Sequence, residues 1–289
     1  MFPQYASERH CAGGCLSRRI LRCTISSRRL LPFVARGRCR GFTLLELLVV
    51  VGIIAILLVL LAPAFTTIKS AGDVTSAAYT IKGMLDTART YAKANNTYTW
   101  VGFYEENVAN PASPNSDLPK VGRIVMSIVA SKNGTIIYDP NNVAQQDLTT
   151  SLIQVGKLTK IDNVHLWTHT DSPSGTGSTF PTRPNVPSTY CIGTSSPSAS
   201  TTPFRYPVGN PAPPTQYTFV KVIQFGPRGE TRINNSTLNA NGTEVFPLQT
   251  AAEIGLEPTH GANVPATVPA NVVAVQFTGF AGDVTIYRP

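Results

Sequence analysis

Cysteine is nearly missing where an exported fold would use it. Of five cysteines, Cys11, Cys15, Cys23 and Cys39 lie in the first forty residues and only Cys191 lies beyond. If that front is removed, the rest cannot form an intrachain disulfide, even in an oxidising compartment. The Cys11/Cys15 pair has no neighbouring His/Cys cluster to complete a metal or redox site. Net charge is missing from the body as well. Of 24 basic and 16 acidic residues, nine arginines and one acid, Glu8, lie in residues 1–40, which leaves 15 of each. The formal charge of +8 therefore belongs to the front. A neutral body argues against nucleic acid as a partner, because phosphate binding needs clustered Lys and Arg. Mean hydropathy of +0.02 argues against a multi-span membrane protein.

Catalytic constellations are missing too. Beyond residue 40 the only histidines are His165, His169 and His260. His165 and His169 are four apart, a spacing that joins two metal ligands on a helix. Here they fall on a strand followed by a loop, with no Cys or acid completing the set nearby, so an edge or surface pair is the reading. Asp139-Pro140-Asn141-Asn142 reads as a turn rather than a calcium loop. Cys191 has no neighbouring His and is a poor nucleophile candidate. No phosphate-binding loop, nucleophile elbow or paired-carboxylate motif occurs. The expectation is a protein that is not an enzyme and holds no cofactor or metal.

What is present is one long apolar run. Arg40-Gly41-Phe42-Thr43-Leu44-Leu45-Glu46 leads into LLVVVGIIAILLVLLAPAF, and Leu47 to Phe65 carry no charge. A helix of this length, at about 1.5 Å per residue, approaches the ~30 Å of a hydrocarbon core. The preceding arginines predict a cytoplasmic N-terminal side. Glu46 is costly there, roughly 2.5–3.5 kcal/mol if it reaches mid-bilayer. It is either a boundary residue snorkelling to the headgroups or an acid with a partner.

A basic patch followed by Gly41, Phe42, Thr43, two leucines, Glu46 and a span resembles the type IV prepilin signal, shared by type IV pilins and type II secretion pseudopilins. The resemblance implies a cut by a prepilin peptidase between Gly41 and Phe42, N-methylation of Phe42, and an assembly role for Glu46. Gly52 and Pro63 fall where that family's first helix often has a flexible glycine and a helix-breaking proline. An ordinary secretory signal is the competing reading, with Ala62-Pro63-Ala64 as its cleavage site. The core is long for such a signal, a proline separates the two alanines, and Glu46 interrupts its start. The forty-residue leader is longer than most prepilin leaders, which leaves open a start nearer the cut, for instance at Val34.

Past Pro63 the helix is expected to continue. Ile68, Ala71, Thr75, Ala78, Ile81, Leu85, Ala88 and Ala92 draw a stripe at spacings of three and four. Asn95-Asn96 supplies a stop. Thereafter the period becomes two: Ile124, Met126 and Ile128 alternate with Arg123, Val125 and Ser127, and Val273, Val275 and Phe277 repeat the pattern, as do Val284 and Ile286. Further strands are expected at Thr97–Tyr104, Thr135–Tyr138, Val164–Trp167 and Tyr217–Phe225, with turns at Asn133-Gly134, Gly226 to Gly229 and Gly279 to Gly282. The segments 107–120 and 168–215 are rich in Pro, Ser, Thr, Gly and Asn, and read as surface loops with too few apolar residues to build core.

The organisation predicted is a removed leader 1–41, a membrane-spanning helix 42–65, its amphipathic continuation 66–96, and a β-rich head 97–289 with loop insertions near 107–120 and 168–215. The fold class is α+β, with the long helix packed on an antiparallel sheet. The order of elements, including Phe225-Gly226-Pro227-Arg228-Gly229, resembles H-type minor pseudopilins. The expected role is a minor structural subunit of a type II secretion pseudopilus or a type IV pilus. Its partners would be the peptidase, other pilins met through the helix, an inner-membrane assembly platform, and lipid before assembly. Placement would be the bacterial inner membrane, single-pass, with the head periplasmic until it enters the filament. The alternatives are a minor pilin that binds DNA during uptake, with Arg228, Arg232 and Arg288 as candidate basic contacts, and an anchored envelope enzyme.

Overall fold

The computed structural model describes residues 42–111, 121–134, 151–194, 204–209, 216–219, 221–233, 235–238, 244–245, 248 and 250–289, the side chains within 62–70 and 235–245 excepted. The leader 1–41, with Gly41 and the four front cysteines, lies outside these residues, as do the expected strand Thr135–Tyr138, the turn at 139–142 and parts of both loop segments. The chain divides at Gly52 into two units, though helix α1 runs from Leu44 to Ala94, 51 residues. Before Gly52 the described residues are Phe42 and Thr43 and the first turns of α1.

Among the described residues, the unit after Gly52 holds the rest of α1 and fourteen strands. These are β1 (Thr99–Asn107), β2 (Gly122–Ser131), β3 (Leu152–Asp162), β4 (Val164–Leu166), β5 (Cys191–Ile192), β6 (Phe204–Tyr206), β7 (Tyr217–Phe219), β8 (Lys221–Phe225), β9 (Thr231–Ile233), β10 (Asn235–Leu238), β11 (Glu244–Val245), β12 (Ala251–Pro258), β13 (Val273–Thr278) and β14 (Val284–Tyr287). One sheet has the order β3-β2-β1-β8-β9 and the other β14-β13-β12-β4. Pairings within both are antiparallel except that β5 adds to β12 in parallel. The fold class is α+β, an N-terminal apolar helix followed by a β-rich head.

The amphipathic stripe is real and slightly rotated. Val74, Ala77, Ala78, Ile81, Leu85, Ala88 and Ala92 are buried against residues of both large sheets, among them Phe103, Met126, Ile254 and Val275. Val74 and Ala77 join the buried face while Ala71 and Thr75 sit at its rim. Asn96, at φ 47°, ends the helix, and the Thr97 amide reaches back to the Ala92 carbonyl at 3.0 Å, a left-handed cap that satisfies a terminal carbonyl. Two cations off the stripe tie the last hairpin to the helix: Lys82 Nζ donates to the Val284 carbonyl, and Arg89 meets Asp283 at 3.1 Å.

The period-two reading of β2 holds, but its second face is not solvated. Ile124, Met126, Ile128 and Ala130 face the helix, while Val125 and Val129 join a second buried cluster with Trp100, Tyr104, Phe204, Tyr217 and Phe219. That second layer is the β6–β7 hairpin, half of it drawn from the segment expected to build no core. Within 168–215, Phe204, Ile192, Cys191 and even Arg183 are buried, so the expectation for that segment fails at these positions. Few apolar residues were needed, because one phenylalanine contributes about 1.5–3 kcal/mol when fully buried. Likewise Tyr217–Phe225 is two strands rather than one, β7 covering the first sheet and β8 lying within it. Gly102 makes this approach possible, since a Cβ there would stand 2.5 Å from Phe204 Cζ and from Phe219 Cβ.

Candidate functional site

Thr43 and Glu46 start α1 with a reciprocal cap. The Glu46 amide donates to Thr43 Oγ1 at 3.2 Å, and the Thr43 amide and hydroxyl both donate to Glu46 Oε2, at 3.0 and 3.1 Å. Thr43 is the N-cap and Glu46 the third helical residue, so two amides that would lack intrahelical partners are satisfied at once. The acid also sits at the positive end of the helix dipole. The T-x-x-E spacing before an apolar run was legible in the sequence, and it is a third reading of Glu46 beside snorkelling and an intermolecular partner. Oε2 takes both bonds, and Oε1 accepts none among the described residues.

The helix that follows is uncovered. Leu44–Leu61 has a mean hydropathy of 3.3 and none of it is buried, and Phe42 is 79% exposed. Each Leu, Ile or Val left in water forfeits about 1.5–3 kcal/mol, so lipid or protein must cover this surface. Gly52 has no neighbour within 4 Å of where a Cβ would stand. The helix continues through Pro63, which has no N–H to give the Val59 carbonyl.

In the head the expected histidine pair is corrected. His165 is buried, with Nδ1 on the Glu105 carboxylate, whereas His169 Nε2 meets the Val273 carbonyl at 3.2 Å and its ring stands edge-on to Phe180. A strand followed by a loop sends them to different partners. Burial drives the imidazolium form of His169 down, against the pull of Glu253. Burial, with Glu253 nearby, pushes the Cys191 thiol up to about 12, which keeps it from acting as a nucleophile. Among the described residues, no group of three or more His, Cys, Asp and Glu could hold a metal ion.

Two buried polar clusters escaped the sequence reading. Arg183 donates to Glu253 at 2.8 Å, to both oxygens of Asp171 at 2.7 Å, and to the Phe180 carbonyl, and its guanidinium lies 4.1 Å from the Phe180 ring centre. Gln276 adds a bond to the same Glu253 oxygen at 2.7 Å. This set fastens the segment between β4 and β5 onto β12 and β13. The other joins Glu105, His165, Lys221 and Glu257 from four strands. No local signal announces either, because the pairings that close them are distant in the chain, Arg183 with Glu253 by 70 positions and Glu105 with His165 by 60.

A sequence model of the prokaryotic N-terminal methylation motif matches residues 36–62. No curated protein and no solved structure matches the chain. An apolar helix long enough to cross a membrane, bearing this motif and leading into an antiparallel β-rich head, defines a class of proteins marked by an N-terminal anchor-type helix. The chain carries the N-terminal motif that type IV pilin-like proteins share, and over residues 36–62 it is similar to them.

Proposed function

We propose that the chain is a minor, pseudopilin-like structural subunit of a type II secretion pseudopilus or a type IV pilus, cut between Gly41 and Phe42 and methylated on Phe42. The observation that carries this reading is Glu46, a carboxylate placed one turn into an uncovered apolar helix inside the matched segment. Before assembly, lipid covers Leu44–Leu61, with the arginine-rich side cytoplasmic and the head periplasmic. Cleavage creates a cationic amino end at Phe42. In a bundle of such helices, that cation and a neighbour's Glu46 are each costly unless paired.

Leaving the bilayer exchanges lipid contact for helix contact, so packing and this charge pair must bias the transfer. The Thr43 cap lowers the cost of storing the acid in the monomer by occupying one carboxylate oxygen, and the other oxygen is left for the neighbour. The peptidase, other pilins and an inner-membrane assembly platform are the partners this route requires. Balanced charge in the body weighs against a DNA-capture role.

N-terminal sequencing and mass spectrometry of the exported chain test the processing step. A start at methylated Phe42 is expected. A start at Phe65, or a retained arginine-rich front, overturns the reading.

A further inference from the structure

The two large sheets meet at an acid–imidazole–acid contact that no assembly role explains. Glu105 of β1 holds His165 Nδ1, and the Leu166 amide donates to the same carboxylate. His165 lies in β4 directly opposite Glu257 of β12. Glu257 is 1% exposed, and its Oε2 has no hydrogen-bond partner among the described residues. From β8, Lys221 approaches Glu105 while its ammonium donates to the Gly193 and Thr194 carbonyls. Neighbouring charges are engaged elsewhere: Glu106 with Arg123 and Tyr217, Asp73 with Asn163, and Glu253 with Arg183.

With Lys221 charged and both carboxylates ionised, the cluster carries one uncompensated negative charge. A charge of that kind is expensive away from water, and the economical remedy is to keep a proton. We propose that Glu105 and Glu257, joined through His165, together retain one proton near neutral pH and thereby clamp the two sheets of the head in a pH-dependent way. The proton belongs to the set rather than to one residue. Burial raises both carboxyls, Glu105 against the pull of His165 and Lys221, and Glu257 against His165 alone.

The sign follows from linkage. Carboxyls raised in the folded head bind a proton that the unfolded chain has released above ~4.3. Stability is therefore greatest in acid and declines as pH rises through the folded values. Lys221, which burial pushes down to about 8, has the opposite sign at alkaline pH, and His169, also pushed down by burial, has it in mild acid, so the test compares wild type with variant between pH 5 and 7.5.

The test uses the full chain in detergent micelles, unfolded with urea and followed by tryptophan fluorescence. The only two tryptophans, Trp100 and Trp167, are both in the head. The Trp167 ring centre lies 6.3 Å from that of His165, so its emission reports on this contact as well as on unfolding. For one retained proton, the unfolding equilibrium constant is expected to rise up to about tenfold per pH unit. Glu257→Gln is expected to remove most of that slope, with stability at pH 7.5 unchanged or higher. Glu105→Gln is the second variant if the first does not fold, with the same loss of slope. A slope that persists unchanged in a folded Gln variant overturns the proposal.

Discussion

Arg183 and Asp171 meet through two parallel hydrogen bonds of 2.7 Å each, on an arginine that is 1% exposed. A charge buried so completely persists only because Glu253 and the Phe180 carbonyl complete its bonding. The result is an ordered segment, rich in Ser, Thr and Gly, held by one side chain rather than by an apolar core of its own.

Arg183→Ala is expected to cost about 3–5 kcal/mol, because Glu253 is left buried and unpaired. Arg183→Lys is expected to recover little, since an ammonium cannot reproduce the planar fork to Asp171. Urea unfolding of the head measures both.

Acid should loosen the same segment first. The Arg183 hydrogen bonds outweigh burial and hold the Asp171 carboxyl below the usual range. A depressed folded value gives stability that is complete above the unfolded ~3.9 and is lost as pH falls through the folded value. Hydrogen exchange below pH ~4 is expected to show residues 168–192 losing protection before β1 and β2.

Glu46→Gln separates two roles. Glutamine can still close the cap with Thr43, so the first helical turn is expected to keep its exchange protection in micelles. The charge is gone, however, and incorporation into filaments is expected to fall sharply. Normal incorporation would confine Glu46 to capping. Thr43→Ala makes the converse change, fraying the first turn by about 1 kcal/mol.

Gly102→Ala is expected to destabilise the head by about 1–3 kcal/mol through overpacking against Phe204 and Phe219. Thermal unfolding of the variant, with Trp100 as the local probe, checks this.

Thiol counting reports processing and folding together. A chain beginning at Phe42 keeps one cysteine, Cys191, against five in the uncut chain. Because that thiol is buried and pushed up to about 12, it is expected to resist thiol reagents at pH 8 until the head unfolds. Rapid native reaction at Cys191 would contradict this packing.

The head was legible where a pattern is periodic and local. The stripe from Ala78 to Ala92, the Asn96 stop and the 225–229 turn needed only neighbouring residues to declare themselves. The alternation in β2 was equally plain, but whether Val125 and Val129 face water or a second layer depends on β6 and β7, which lie far along the chain. The T-x-x-E cap was present in the sequence too, hidden because the same acid also suggested a partner on another chain.

Sequence alone determined the apolar span, the acid at its head, the neutral body and the periodic faces, since hydropathy and spacing are properties of contiguous residues. Tertiary structure alone decided that a polar, proline-rich segment is ordered by Arg183, that His165 lies between Glu105 and Glu257, and that the two histidines part company. Buried charges are tolerated only where distant strands deliver their partners, and no short stretch of chain records that delivery.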